Sequence, residues 1–98
     1  MILDVAFLHA ARAEFIEASG WYESRRPGLG REFIAEIDRC VARAAEQPLQ
    51  FAVVREEIRR VVAKRFPFSV YYRAEENCIV VMAVFHSRRH PITWQERK

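Results

Sequence analysis

Arg65-Phe-Pro-Phe-Ser-Val-Tyr-Tyr-Arg73 and the apolar run Ile79-Val-Val-Met-Ala-Val-Phe85 decide the fold of this chain. Apolar and polar residues alternate through the first stretch, which predicts a strand over 66–73 with one covered face. Every residue of the second stretch is apolar, which predicts a central strand over 78–86 that is covered on both faces. The polar residues 75–77 between them supply a hairpin turn.

The alternation also separates the two tyrosines of the first stretch. Tyr72 falls on the face that is predicted to pack on the core, and Tyr71 falls on the other face. We therefore expect Tyr71 to be the more accessible of the two. The predicted core face consists of Phe66, Phe68, Val70 and Tyr72.

Two amphipathic helices are predicted before these strands. From His9 to about Arg25, apolar residues recur at steps of three and four. A second stripe of this kind begins after the Pro- and Gly-containing turn 26–30 and ends before Pro48. Because the turn is short, we expect an antiparallel helical hairpin.

Two further strands complete the prediction, one within 2–8 and one over 58–64. The resulting order is β-α-α-β-β-β. This order predicts an α+β fold in which the helical hairpin packs on a small, mainly antiparallel sheet. We expect residues 1–98 to form a single domain, because a chain of this length can bury one thin core.

Charge is distributed unevenly along the chain. Residues 1–54 contain six Lys or Arg and eight acids, a net charge of −2, whereas residues 55–98 contain ten and five, a net charge of +5. A positive half attracts phosphates or an acidic partner. Charges of this kind also solvate the outer face of a sheet, so the charge alone does not choose between these roles.

Cys40 and Cys78 lie within apolar runs, which is typical of reduced core residues in a reducing cytosol. We expect no metal site. No signal peptide is visible, and the longest uncharged apolar run, 78–85, is too short to span a bilayer. We therefore expect a cytoplasmic protein that does not contact a membrane. The common cofactor and nucleotide motifs are absent from the sequence, so no cofactor is expected.

Cations, imidazoles and tyrosines are concentrated near the end of the chain. They can in principle cleave RNA, with His86 as base or acid and Tyr71 or Tyr72 as acid. Arg65, Arg88 and Arg89 would then clamp the phosphate. The competing interpretation is that His86 satisfies a backbone group at a strand end. For the arginines it is that they are merely solvated. The residues concerned are Arg65, Tyr71, Arg73, His86, Arg88 and Arg89.

Four short motifs occur in order along the chain. They are Trp21-Tyr-Glu23, Arg26-Pro-Gly-Leu-Gly30 with Phe33, Arg65-Phe-Pro-Phe-Ser-Val-Tyr-Tyr72, and His86-Ser-Arg-Arg-His-Pro-x-x-Trp94. In this combination the chain resembles the toxins of the RelE/ParE superfamily, and more closely its ParE-like, plasmid-stabilisation branch. The resemblance extends from about residue 11 to residue 94.

The resemblance implies a small bacterial α+β toxin that is held by an antitoxin in a tight hetero-oligomeric complex. ParE-type toxins poison DNA gyrase and are not known as catalysts, whereas RelE-type toxins cut mRNA in the ribosomal A site without a metal. As a gyrase toxin, the chain would contact its target or antitoxin through a set of cations. This set consists of Arg65, Arg73, Arg88 and Arg89.

As a ribonuclease, the chain would use Arg65, His86 and Tyr71. Ser87 stands where the ribonuclease branch has a tyrosine after the histidine. This departure and the first and last motifs favour the ParE-like branch and therefore a gyrase inhibitor. Two alternatives remain, a ribosome-dependent mRNA endonuclease and a non-toxic homologue that only binds the antitoxin.

Overall fold

A computed structural model describes residues 2–87. These residues form two helices and five strands. The helical hairpin packs on a sheet, so the predicted α+β class is confirmed. The elements in chain order are β1 (Asp4–Phe7), α1 (His9–Arg25), α2 (Leu29–Glu46), β2 (Val53–Arg55), β3 (Ile58–Val62), β4 (Phe68–Ala74) and β5 (Cys78–His86).

The sheet has the spatial order β1-β5-β4-β3-β2. Strands β2 to β5 pair antiparallel with their neighbours, and β1 runs parallel to β5. The sheet is therefore mixed but mainly antiparallel, as expected. Strand β2 was not predicted: it has only three residues, with a register shift against β3, and such a short segment shows no alternation.

The turn between the helices is fixed by the carboxylate of Glu23. It accepts hydrogen bonds from the backbone N–H of Gly28 at 3.0 Å and of Gly30 at 3.1 Å. Gly28 has a φ of 89°, which glycine adopts without strain. At Gly30 the helices approach so closely that a Cβ would lie 2.6 Å from the carbonyl oxygen of Ser19. Both glycines are therefore required by the hairpin.

The main core lies between the helices and the sheet. Phe33 of α2 is fully buried, and its ring meets those of Phe66 and Phe68 at centroid distances of 5.3 and 5.0 Å. The hydroxyl of buried Tyr72 donates to the carbonyl of Pro48 at 2.6 Å. The predicted core face of this strand region is confirmed, since this core contains Phe66, Phe68, Val70 and Tyr72.

A second apolar cluster lies on the opposite face of the sheet. The pairing of β4 with β5 shifts register between Tyr71 and Tyr72, and the extra residue in β5 leaves Met82 and Ala83 in the same cluster. Residues 79–85 are all buried, which confirms the prediction that this strand is covered on both faces. The prediction that Tyr71 is accessible is wrong: it is 7% exposed, because it packs in this second cluster.

Glu36 ties α2 to the loop that follows β3. Its carboxylate is buried, with the whole residue 4% exposed, and accepts hydrogen bonds from the backbone N–H of Lys64 and from Nη2 of Arg39, each at 2.7 Å. Both hydrogen bonds lower the pKa of this carboxyl below its ordinary value, and the bond from Lys64 has the larger effect. A buried carboxylate is tolerated here because its charge is hydrogen-bonded.

The two cysteines have different surroundings. Cys40 lies in the core, and burial raises the pKa of its thiol, whereas Cys78 is partly exposed. Both are free thiols.

Neither α1 nor α2 has the length and apolar character that a membrane span requires.

Candidate functional site

The start of β4 and the end of β5 lie side by side at one end of the sheet. Phe68 is opposite His86 in the ladder, and the N–H of Ser87 donates to the carbonyl of Pro67 at 2.7 Å. Arg65 precedes Phe68 by three residues in the chain. Arg65 and His86 therefore belong to the same end of the sheet.

His86 lies on the helical side of the sheet, where its ring meets that of Phe68 edge-on at 5.2 Å. It lines a groove of about 550 Å³ between α1 and the ends of β4 and β5, which we call the α1–β5 groove. Arg65 does not line it. The lining residues are Ala13, Glu14, Glu17, Ala18, Trp21, Tyr22, Pro67, Phe68, Val84 and His86.

The second half of β5 contributes its edge to the α1–β5 groove. Pairing with β1 ends at Phe7 and Val81. Farther along, the buried N–H of Val84 donates to Oε1 of Glu14 at 3.0 Å. A buried backbone N–H needs an acceptor, and here a side chain of α1 provides one in place of a neighbouring strand.

Trp21 lies at the rim of the α1–β5 groove. This indole is 52% exposed, packs edge-on against Tyr22 at 5.1 Å, and has the guanidinium of Arg25 at 4.5 Å over its ring. A cation at this distance over an indole is an attractive contact. Trp21 is therefore an exposed aromatic side chain that is held in place.

Arg65 is part of a cluster of charges at the turn between the helices. Its Nη2 donates to Oε1 of Glu32 at 2.7 Å, and Nη2 of Arg26 donates to Oε2 of the same carboxylate at 3.2 Å. The Arg65 hydrogen bond is the largest cause that lowers the pKa of Glu32. Both arginine side chains are more than half exposed. Two cations and one carboxylate leave the cluster with a net charge of +1.

The structure does not bring the predicted catalytic residues together. Tyr71 packs in the cluster on the far face of the sheet, whereas His86 faces the helices. A general acid and a general base must both reach the reacting groups. In residues 2–87 the predicted set Arg65, His86 and Tyr71 is therefore not assembled.

Arg73, the second predicted contact residue within the described range, is distant from Arg65. It pairs with Ile58 and Val80 in the ladders towards the other end of β4. Its Nε and Nη2 both donate to Oε2 of Glu75, at 3.0 and 2.7 Å. Arg88 and Arg89 lie outside the described residues, as do His90 and Trp94.

The role of α1 in this groove was not predicted from the sequence. The predicted stripe of α1 is the one that faces the core, and it includes Phe15 and Tyr22. The same helix exposes Ile16 and Trp21, at 63% and 52%. The sequence did contain one signal for this role, because α1 has apolar residues on two sides and only one side can face the core.

Two solved structures are similar to this fold. A chain of the chromosomal ParDE toxin–antitoxin system from P. aeruginosa matches with a TM-score of 0.75 and 17% identity, over 87% of this chain and 96% of that chain. A chain of the toxin–antitoxin complex RelBE2 from Mycobacterium tuberculosis matches with a TM-score of 0.61 and 18% identity, over 88% and 99%. At these identities the likeness shows the fold. No curated protein matched the sequence.

The family model of the ParE toxin of the type II toxin–antitoxin system parDE matches residues 5–91. The matched range includes both helices and four complete strands, and β1 from its second residue. It also contains three of the four motifs in full. The resemblance seen in the sequence is thereby confirmed, and the chain belongs to the ParE toxin family of type II toxin–antitoxin systems.

Proposed function

We propose that this toxin inhibits DNA gyrase by binding it, and that an antitoxin neutralises the toxin in a stable complex. The observation that supports action by binding is the position of Tyr71 and His86 on opposite faces of the sheet. An inhibitor that acts by binding needs an exposed surface and no assembled acid and base. On this proposal the protein is not an enzyme.

Arg65 is the better contact residue of the two predicted cations that the structure describes. Its side chain is 55% exposed in a cluster of net charge +1, whereas that of Arg73 is 29% exposed and bound twice by Glu75. Arg65 donates one hydrogen bond to Glu32, whereas Arg73 donates two to Glu75, so Arg73 loses more contacts when it binds another group. We assign the contact with gyrase or antitoxin to Arg65, and Arg88 and Arg89 remain predictions.

A supercoiling assay tests the proposed target. Purified toxin is titrated into gyrase, ATP and relaxed plasmid, and the products are separated on agarose with and without denaturation. We expect loss of supercoiling and accumulation of cleaved DNA. Relaxation of the supercoiled form of the same plasmid by topoisomerase I should be unaffected. If gyrase activity is unchanged at a large excess of toxin, the proposed target is wrong.

Neutralisation by an antitoxin has a thermodynamic consequence. A partner that binds only the folded toxin stabilises it, by about 2.7 kcal/mol when free partner is at a hundred times its Kd. We therefore expect the toxin to melt at a higher temperature with saturating antitoxin. Equal melting temperatures would contradict the proposed complex.

Normal growth of cells that strongly express the toxin without its antitoxin would indicate the remaining alternative, a non-toxic homologue.

A further inference from the structure

Arg26 and Arg65 hold one anionic group between them on the surface of the toxin. Their Nη2 atoms donate to the two different oxygens of the Glu32 carboxylate, at 3.2 and 2.7 Å. Within residues 2–87 each of these side chains makes one hydrogen bond, although a guanidinium has five N–H donors. Guanidinium groups bind phosphates with the same forked geometry as carboxylates. The two exposed arginines therefore keep donors for a second anion that arrives from solvent.

Three more cations continue this arrangement along one side of α2. They line a shallow groove of about 330 Å³. The charged residues that line it are Glu36, Arg39, Arg43, Glu46 and Lys64. Lys64 directly precedes Arg65, and its backbone N–H is bound to Glu36 of α2, so the groove adjoins the first two arginines. We call the five cations the α2 strip, which consists of Arg26, Arg39, Arg43, Lys64 and Arg65.

The α2 strip is positively charged even when its acids are counted. Three carboxylates lie among the five cations, those of Glu32, Glu36 and Glu46, which leaves a net charge of +2. The side chain of Arg39 is 60% exposed although it is paired with Glu36. Lys64 is exposed and makes no ion pair within residues 2–87. An exposed surface of this sign attracts a polyanion.

The linear arrangement of the α2 strip fits a nucleic-acid backbone better than a single acidic side chain. Glu32 and Arg39 are seven positions apart on α2, about 10 Å along the helix axis. One strand of a DNA duplex presents a phosphate about every 3.4 Å along its axis, so the strip can meet about three phosphates. The proposed target acts on DNA, so a duplex is present where the toxin binds.

We propose that the α2 strip binds the phosphate backbone of the DNA on which gyrase acts, with Arg26 and Arg65 clamping one phosphate and Lys64 and Arg39 contacting its neighbours. This inference rests on the proposed function, because it takes the DNA of the gyrase complex as the partner. Glu32 is then an internal competitor, since its carboxylate occupies donors that the phosphate needs. The contact carries no sequence preference, because every sequence presents the same phosphates.

Binding to DNA is measured without gyrase, so that the α2 strip is tested separately from the target. A short fluorescein-labelled duplex is titrated with purified toxin, and its fluorescence anisotropy is followed at several NaCl concentrations. The variants are Arg26→Ala, Arg65→Ala and Glu32→Gln. Arg60→Ala is the matched control, because it removes one exposed arginine from β3, outside the strip. Melting curves show that each variant is folded.

We expect the wild-type toxin to bind the duplex with a Kd of about 1–100 µM at physiological salt, and the affinity to fall steeply with NaCl. Arg26→Ala and Arg65→Ala should each weaken binding by about five- to tenfold. Each should also reduce the slope of log K against log [NaCl] by about one, because one phosphate contact is lost. Glu32→Gln should tighten binding by a similar factor, since it removes the competing charge. Arg60→Ala should bind like the wild type.

Two results would overturn the inference. If the wild-type toxin does not bind the duplex at low salt, or if Arg60→Ala weakens binding as much as Arg65→Ala, the α2 strip is not a DNA site. If Arg26→Ala and Arg65→Ala bind DNA normally but lose affinity for gyrase without DNA, the strip contacts an acidic protein surface instead.

The supercoiling assay decides separately whether gyrase is the target. Gyrase that is inhibited by a toxin without affinity for the duplex would leave the proposed function standing and remove the DNA contact. Gyrase that is unaffected, together with the expected pattern of DNA binding by the variants, would remove the proposed target and leave the α2 strip as a DNA site.

Discussion

Tyr71 and His86 lie on opposite faces of the sheet, although only three positions separate their pairs along the ladder of β4 and β5. His86 packs on Phe68 on the helical side, and Tyr71 packs in the cluster with Met82 and Phe85 on the other side. The two side chains therefore cannot act on one phosphate in this arrangement. This separation supports the proposal that the toxin acts by binding its target.

We predict that Tyr71→Phe and His86→Gln each leave toxicity unchanged. The phenylalanine keeps the ring that packs in the second cluster, and glutamine keeps a polar group at the groove. The measurement is colony survival after induction without antitoxin, at matched protein levels. Loss of toxicity in either variant, with an unchanged melting temperature, would show that the residue has a catalytic role after all.

Gly30→Ala should destabilise the toxin by about 1–3 kcal/mol, because the new Cβ would lie 2.6 Å from a backbone carbonyl oxygen of α1. Gly20→Ala is the matched control. Gly20 lies inside α1, and within residues 2–87 no atom outside the neighbouring backbone of α1 lies within 4 Å of the place where the methyl group of an alanine would stand, so alanine should stabilise the helix by about 0.5–1 kcal/mol. Urea unfolding measures both. Equal effects of the two substitutions would contradict the close helix contact.

Glu36→Gln should cost about 1–3 kcal/mol of unfolding free energy at pH 7, because it removes a buried, hydrogen-bonded charge. The folded-state pKa of Glu36 is lowered, so its contribution is complete above the ordinary glutamate value, about 4.3. It is lost as the pH falls through the folded-state value. Urea unfolding from pH 7 to pH 3 should therefore show the two proteins converging. A pH-independent difference would exclude the charge as its cause.

Arg65→Ala should weaken gyrase inhibition without changing the melting temperature. The ion pair of Arg65 with Glu32 is exposed, and exposed pairs contribute little to stability. Arg60→Ala is the control. It also removes one exposed arginine, but from strand β3 and not from the charge cluster around Glu32. Inhibition by Arg65→Ala that equals that of wild type would remove Arg65 from the contact surface.

The helices were predictable because their apolar residues recur at steps of three and four, and β5 was predictable because it is an unbroken apolar run. The predicted bounds of α1 and β5 agree with the structure. Strand β2 was not predictable, since three residues cannot show a period and this strand depends on its pairing with β3. The parallel pairing of β1 with β5 was not predicted either, because pairing of distant segments leaves no local signal.

The site was less predictable than the fold. Alternation placed Tyr71 on the face away from the helices, but alternation does not say whether that face is covered. The bulge in β5 and the second cluster around Met82 bury it. The groove depends on the packing of α1 across the edge of β5, where Glu14 binds Val84, 70 positions along the chain. No short motif encodes such a contact.

The central claim is tested most directly by measuring DNA breaks and mRNA cleavage in the same cells. The measurement is made soon after the toxin is induced without its antitoxin. Chromosomal breaks are mapped by sequencing DNA ends, and mRNA is mapped by primer extension in the same culture. An inhibitor that acts by binding gyrase should produce DNA breaks at gyrase sites and leave translated mRNA intact. Cleaved mRNA on ribosomes with unbroken DNA would contradict the proposed function and require the catalytic residues to assemble.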